Sequence, residues 1–358
     1  MDKDKISVII PIHNGGKYLN RLYNNINSQT YKNLEIILVE NFSKDDSRLI
    51  INKLAKNDNR IIAAESVVKG TSLARKKGIE LASGEYTLFM DQDDRYCSIN
   101  AIEEMYNTIK ESKSDICQFS VYHRHSFGIL SKTDSIDRET IYSADEVRNK
   151  EVTSVFGGKN GYITSSVWSK IYSTSLLKNA VESIDVGLFF AEDMYLNICC
   201  FFSPLFHSIC ISPNAYYEWD LRFGFSSKKD SGKALLKDYD IVKPRIDQFL
   251  RQNNVCSDVF YIFHLESLYF MRALLVSAYD KKNSEDFDLL YETINSMQFI
   301  RLAKDYMNNE LDESKKYDDL MFLSSDFSKA EFIERYLRGK TVINNRFIMK
   351  LKSHLKKS

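Results

Sequence analysis

Apolar runs alternate with amphipathic stretches through the first part of the chain. Ile6 to Ile10 is a β-branched run closed by Pro11. Leu34 to Val39 is a second run, Ile61 to Ala64 a weaker third, and Tyr86 to Met90 a fourth. Between them, Leu19, Leu22 and Ile26 have helical spacing, and Leu49, Ile50 and Leu54 suit a second helix. Ser72 to Ala82 reads as a third helix that stops at Ser83-Gly84. Near-continuous apolar strands alternating with helices predict an α/β, Rossmann-like domain with a mostly parallel sheet and flanking helices.

Farther along, Ser98 to Ser112 reads as a helix and Ile116 to Tyr122 as a strand. Phe127 to Lys159 is polar and carries no clear period. Trp168 to Leu177 and Met194 to Phe202 are predicted as helices. From about Lys233 the character changes: Leu235, Leu236, Ile241, Ile246 and Leu250 open a mostly helical region. The reading is a domain over 1–228, with halves 1–97 and 98–228, and a helical C-terminal region over 229–358, the boundary falling near Ser227 to Lys233. Val259 to Tyr279 is apolar but contains His264, Glu266 and Arg272, so a buried helix is expected there, not a membrane span.

Composition narrows the function classes. Lys+Arg and Asp+Glu both number 49, so the formal net charge is zero and no global field recommends a nucleic acid partner. None of the six cysteines stands in a C-x-x-C pair, and most sit in apolar runs. Free thiols in a reducing cytoplasm are expected. Met1 to Lys5 lacks the apolar core of a signal peptide, so a cytoplasmic location is expected.

Ligands of such sheets bind beyond the carboxyl ends of the strands. The polar residues there are His13 and Asn14 after the first strand, Glu40 and Asn41 after the second, and Asp91-Gln92-Asp93-Asp94 after the fourth. No G-x-G-x-x-G or Walker loop follows the first strand, which argues against dinucleotide and P-loop sites. Two carboxylates separated by one residue can each offer an oxygen to a hard cation or a ribose; an acidic surface turn or a helix cap would use the same residues. Glu192-Asp193 lies between Phe189-Phe190-Ala191 and Met194-Tyr195-Leu196. An acid pair in so apolar a setting suits a general base with a tuned pKa, a helix N-terminal cap, or both.

Ile6 to Asn14, Gln29 to Val39, Lys69-Gly70, Ala74-Arg75, Gly78 and Ser83-Gly84-Glu85-Tyr86 together resemble family 2 glycosyltransferases. The resemblance resumes at Trp168-Ser169-Lys170-Ile171-Tyr172, at Glu192-Asp193 and at Tyr216-Tyr217. It implies the GT-A fold and transfer of a sugar, with inversion, from a nucleotide-diphosphate sugar, a UDP-sugar by preference. By the same resemblance Pro11, His13, Asn14, Glu40, Asn41, Arg75, Asp91 and Gln92 belong to the nucleotide-sugar site, Asp93 to a Mn2+ or Mg2+ ion, and Asp193 to the base, with Glu192 beside it. Where the family has two Asp and then Gly-Ser, this chain has Glu40-Asn41-Phe42-Ser43. Arg222 resembles a family residue that reaches the diphosphate. Trp168 is either a core anchor or an acceptor platform.

The implied acceptor is a glycan, a glycoprotein or a lipid-linked sugar, in bacterial polysaccharide or glycoprotein glycan synthesis. Two other readings use the same residues: a sugar nucleotidyltransferase, and a non-catalytic nucleotide-sugar or glycan-binding module. From Arg335 to Ser358 the chain has basic residues and no acids, and Phe347, Leu351 and Leu355 recur at helical spacing. Such a helix either rests on an anionic membrane surface, which would make the protein peripheral at the inner face of the membrane, or packs its apolar face on the helical region.

Overall fold

The structure, a computed structural model, describes residues 3–125, 129–133, 136–156, 162–220, 231–280 and 284–306. The first half follows the expected alternation: β1 (Ile6–Ile12), α1 (Gly16–Asn27), β2 (Leu34–Glu40), α2 (Ser47–Asn57), β3 (Ile61–Glu65), α3 (Thr71–Leu81) and β4 (Tyr86–Phe89). β1 pairs in parallel with β2 and β4, so that Ile9 lies beside Ile37 and Phe89, and β2 pairs in parallel with β3. All seven residues of β1 and of β2 are buried, the pattern of strands covered on both faces.

The second half adds β5 (Arg95–Tyr96), α4 (Ala101–Ser112), β6 (Ile116–Arg124), β7 (Leu130–Lys132), β8 (Thr140–Ser143), α5 (Ala144–Asn149), a 3-10 turn (Glu151–Phe156), β9 (Lys170–Ser173), α6 (Thr174–Ala180), α7 (Glu192–Phe201) and β10 (Ser208–Asp220). The sheet runs β3-β2-β1-β4-β9-β6-β10-β5, with β7 on β6 and β8 on β10. It is mixed: β9 is antiparallel to both β4 and β6, whereas β10 is parallel to β6. This mostly parallel sheet with flanking helices is the predicted fold class.

Two stretches differ from the sequence reading. Trp168 to Leu177 is not one helix. Lys170–Ser173 is a strand inserted between β4 and β6, and the helix begins only at Thr174. A short apolar run does not reveal whether it will be a strand or a buried helix; here two sheet neighbours decide it. Within the polar stretch 127–159, the described residues include two short strands and α5. Ser143 and Glu146 start that helix with a capping box.

The chain divides into two compact units, Met1–Val259 and Phe260–Ser358, later than the composition shift near Ser227 to Lys233. α8 (Ser231–Gln252) belongs to the first. Its Asp238 carboxylate accepts the backbone N–H groups of Phe189 and Phe190 at 2.7 and 3.0 Å, while Leu236, Val242, Ile246 and Leu250 are buried. α9 (Ser257–Asp280), α10 (Ser284–Ser296) and α11 (Gln298–Asp305) follow. In the second unit His264 stacks on Tyr306 at 4.7 Å, beside Phe260. Among the described residues no helix is long and apolar enough to cross a membrane. The basic stretch 335–358 lies outside the described residues.

Candidate active site

At the carboxyl ends of β1, β2 and β4 the three polar loops meet around a cavity of about 460 Å³. Pro11, His13 and Asn14 reach it from β1, Asn41 from β2, and Asp91, Gln92 and Asp93 from β4. Gln92 joins two of these loops: its amide oxygen accepts the N–H of His13 at 2.9 Å and its amide nitrogen donates to the His13 carbonyl at 3.1 Å. The His13 ring is fixed by Nδ1, 2.6 Å from the carbonyl of Asn41. Asn14 sits at φ +52°, a left-handed conformation that asparagine tolerates, and its side-chain oxygen accepts from the Lys44 N–H at 2.7 Å.

Glu40 does not join them. Its carboxylate turns back on its own loop, accepting from the Ser43 N–H and pairing with Arg48 at 3.4 Å, and the side chain is buried. Asn41 takes the cavity position after β2, and its side-chain oxygen accepts from the Gly70 N–H at 3.1 Å.

The acidic loop separates into two roles. Asp94 is buried and braces the loop from behind: one oxygen accepts from the Tyr217 hydroxyl at 2.8 Å, the other from the Asp220 N–H at 2.9 Å. The same Tyr217 oxygen accepts the Asp91 N–H at 3.0 Å. Asp91 and Asp93 face the cavity instead. Burial pushes the Asp93 carboxyl above its usual range, with Asp220 adding repulsion and Arg21 and Lys17 opposing it. Arg21 donates to the backbone carbonyl of Asp93 and leaves its carboxylate to the cavity.

On the opposite wall, Glu192 and Asp193 form the first turn of α7, where the positive end of the helix favours acids. Ala191 before them sits at φ +60°, uncommon for a residue with a Cβ. Arg75 reaches across from α3. Its Nη1 bonds Glu192 at 3.0 Å and also Asp193, and its Nη2 meets Asp91 at 3.1 Å. The resemblance places Arg75 in the nucleotide-sugar site; in the structure both terminal nitrogens of its guanidinium are committed to carboxylates. Burial opposes the guanidinium charge, but Asp193, Asp91 and Glu192 outweigh it and raise the pKa. Burial, then repulsion from Asp193, lifts Glu192 to about 8 against the pull of Arg75. Asp91 is lifted to about 6 by burial, again against Arg75.

Asp193 is oriented from two sides. One oxygen pairs with Arg75 and the other accepts the Val167 N–H at 3.2 Å. The loop carrying Val167 is pinned by Lys170, which is fully buried and donates to the Thr164 carbonyl at 2.9 Å and to that of Ser166. Burial lowers Lys170 to about 7, with Asp193 pulling the other way. Trp168 lines the cavity, stacked on Tyr217 at 5.0 Å and 5.5 Å from Trp219.

Lys17, Tyr18, Thr71, Phe189, Phe190 and Trp219 also line the cavity. For Lys17 and Tyr18 a signal was present: they follow Gly15-Gly16 at the start of α1, beside the β1 loop. Phe189-Phe190 directly precede the acid pair, so their place could have been read with it. Arg222 lies outside the described residues.

Among the described residues, no three His, Cys, Asp or Glu side chains converge as a ready-made metal cage. A magnesium- or manganese-type ion takes one or two carboxylates and completes its shell with water and substrate phosphate. Asp93, facing the cavity in partly desolvated surroundings, is a suitable ligand for such an ion.

Comparison with known proteins agrees with this geometry. The profile of the family described as "Glycosyl transferase family 2" matches residues 7–168, which carry every cavity residue on the β1, β2 and β4 loops. The chain is 31% identical over 207 residues to Glycosyltransferase GlyA of Streptococcus pneumoniae, covering 54% of this chain and 27% of that one. It is 39% identical over 119 residues to Glycosyltransferase GlyG of the same organism, covering 33% and 39%. It thus spans less than half the length of these two relatives. Among solved structures, S. aureus TarS 1-349 superimposes with a TM-score of 0.62 at 20% identity, over 93% of this chain and 89% of that one. The same fragment bound to UDP-GlcNAc gives 0.54 at 21% identity, over 81% and 91%. Over residues 7–168 the chain is thus similar to glycosyl transferase family 2.

Proposed function

We propose that this protein transfers a sugar from a nucleotide-diphosphate sugar to an acceptor hydroxyl. The observation that carries this reading is the meeting, in one cavity, of the Asp91-Gln92-Asp93 loop with the Glu192-Asp193 pair. The first supplies carboxylates for the ribose and for a cation on the diphosphate; the second supplies a base for the acceptor. UDP-GlcNAc in the TarS complex supports a UDP-sugar as the donor substrate.

In this reading His13 and Asn41 flank the nucleotide and Lys17 faces the diphosphate. Arg75 acts through the carboxylates it holds: it balances their charge and fixes the direction of Asp193. Asp193 takes the proton of the acceptor hydroxyl, whose oxygen forms the new bond to the anomeric carbon while the bond to the diphosphate oxygen breaks and the nucleoside diphosphate leaves. A single displacement of this kind inverts the anomeric centre. Asp93 would hold Mn2+ or Mg2+, an ion that neutralises charge on a departing diphosphate when bound. The acceptor in this reading is a sugar hydroxyl of a glycan, free, protein-linked or lipid-linked.

The reading is tested by UDP and UDP-GlcNAc titrations with and without manganese, on the wild type and on Asp93→Ala. Tighter binding with metal in the wild type alone is expected. Metal-independent binding in both proteins would remove Asp93 and the ion from the account.

A further inference from the structure

Behind the pair Trp168 and Trp219 lies a second groove, of about 290 Å³, which shares both indoles with the first cavity. Its volume is near the lower limit for small-ligand sites, roughly 300 Å³, so it admits a ring-sized group. Its floor is the β6–β10 pairing, where the register shifts between Ser212 and Ala215. Such irregularities re-aim side chains beside functional sites. One wall is the 164–168 loop that Lys170 pins and that gives the Val167 N–H to Asp193. The groove and the base are therefore one loop apart.

The lining chemistry is specific. Among the described lining residues there is no Asp, Glu, Lys or Arg. Aromatic surface comes from Trp168, Trp219 and His123, the last 5.4 Å from Trp219. Hydroxyls come from Ser120, Thr164 and Ser212. Ser120 is only 5% exposed, and its hydroxyl has no hydrogen-bond partner; a buried hydroxyl in that condition is costly unless something satisfies it. Ring faces for an apolar surface, hydroxyls on the floor and on one wall, and no countercharge among the described residues describe an uncharged sugar ring. A phosphate-bearing polyol or an acidic sugar would enter this groove with its charge unpaired.

We infer that this groove is the subsite for a neutral sugar residue of the acceptor, held behind Trp168 and Trp219 so that a neighbouring hydroxyl of the acceptor reaches Asp193. This rests on the proposed transferase reading and adds the acceptor class to it.

Saturation-transfer NMR on the full chain, with cellobiose, lactose and maltose as neutral probes and ribitol 5-phosphate as the anionic one, tests the inference. UDP titration of the same samples reports the donor cavity separately. The blocking variant is Ser165→Trp, since Ser165 lies on the groove's exposed rim, where a larger side chain need not disturb the core. The expected result is transfer to at least one neutral disaccharide in the wild type, at least about tenfold weaker in Ser165→Trp, with UDP affinity changed less than about twofold. Equal disaccharide binding by both proteins, no disaccharide binding by the wild type, or binding of ribitol 5-phosphate alone would overturn the subsite. Loss of UDP binding by the wild type would instead count against the transferase reading, and the disaccharide result would still judge the groove.

Discussion

Arg75 and Glu192 meet at 3.0 Å, and through this contact α3 of the first half is tied to the first turn of α7 in the second. The same guanidinium holds Asp193 and Asp91, so one buried cation serves three carboxylates drawn from two walls of the cavity. The acid pair, a candidate base by its sequence setting, is thus held by an arginine that the resemblance places in the nucleotide-sugar site.

Replacing Arg75 by alanine leaves those carboxylates facing one another in partly desolvated surroundings. Breaking a buried ion pair from one side costs about 3–5 kcal/mol, and a loss of this size is expected in urea unfolding followed by tryptophan fluorescence. Arg75→Lys should recover little, because a single ammonium cannot reproduce a two-armed bridge. An unfolding midpoint unchanged by Arg75→Ala would show that the cluster contributes nothing to the fold.

Stability should also fall as pH rises through the neutral range, on account of Glu192. Its carboxyl in the folded protein sits at about 8, above the ordinary 4.5, so the folded state binds the proton more tightly than the unfolded state. The stabilising contribution is complete below the ordinary value and is lost as pH climbs through the folded one. Glu192→Gln removes the titrating group, and its unfolding midpoint should be flatter across that window. Parallel profiles for the two proteins would contradict the assignment.

Gly70 carries a backbone constraint that sequence alone could only suggest. It sits at φ +150°, and a Cβ there would lie 2.5 Å from the Gly187 Cα and 2.8 Å from the Leu188 nitrogen. The segment it would displace is clamped by Ser72 and leads into Phe189, Phe190 and the acid pair. Gly70→Ala should therefore cost about 1–3 kcal/mol and lower nucleotide release together with stability. Normal stability in thermal unfolding would show that the segment gives way freely.

Much of the first half was legible because its signals are local. β1 and β2 are buried along their whole length, so their runs read as strands, and the polar residues after them fall at the cavity by topology alone. What escaped the reading depends on contacts distant in sequence. Lys170 to Ser173 becomes a strand because β4 and β6 flank it. Glu40 leaves the site because Ser43 and Arg48 engage its carboxylate. Arg75 is committed by acids more than a hundred residues away as well as by Asp91. The separation of Asp94 from Asp91 and Asp93 is set by Tyr217, arriving from β10, and no spacing within the acidic loop reveals it.

The central claim is that Asp193 accepts the proton of an acceptor hydroxyl during sugar transfer. It is tested most directly by nucleotide release from UDP-sugars, with manganese and a neutral glycan acceptor, comparing the wild type with Asp193→Asn. The account predicts acceptor-stimulated release by the wild type, a rate lower by roughly a hundredfold or more in the variant, and UDP affinity close to unchanged. Release by Asp193→Asn at the wild-type rate, or a collapse of UDP affinity with little change in rate, would contradict it.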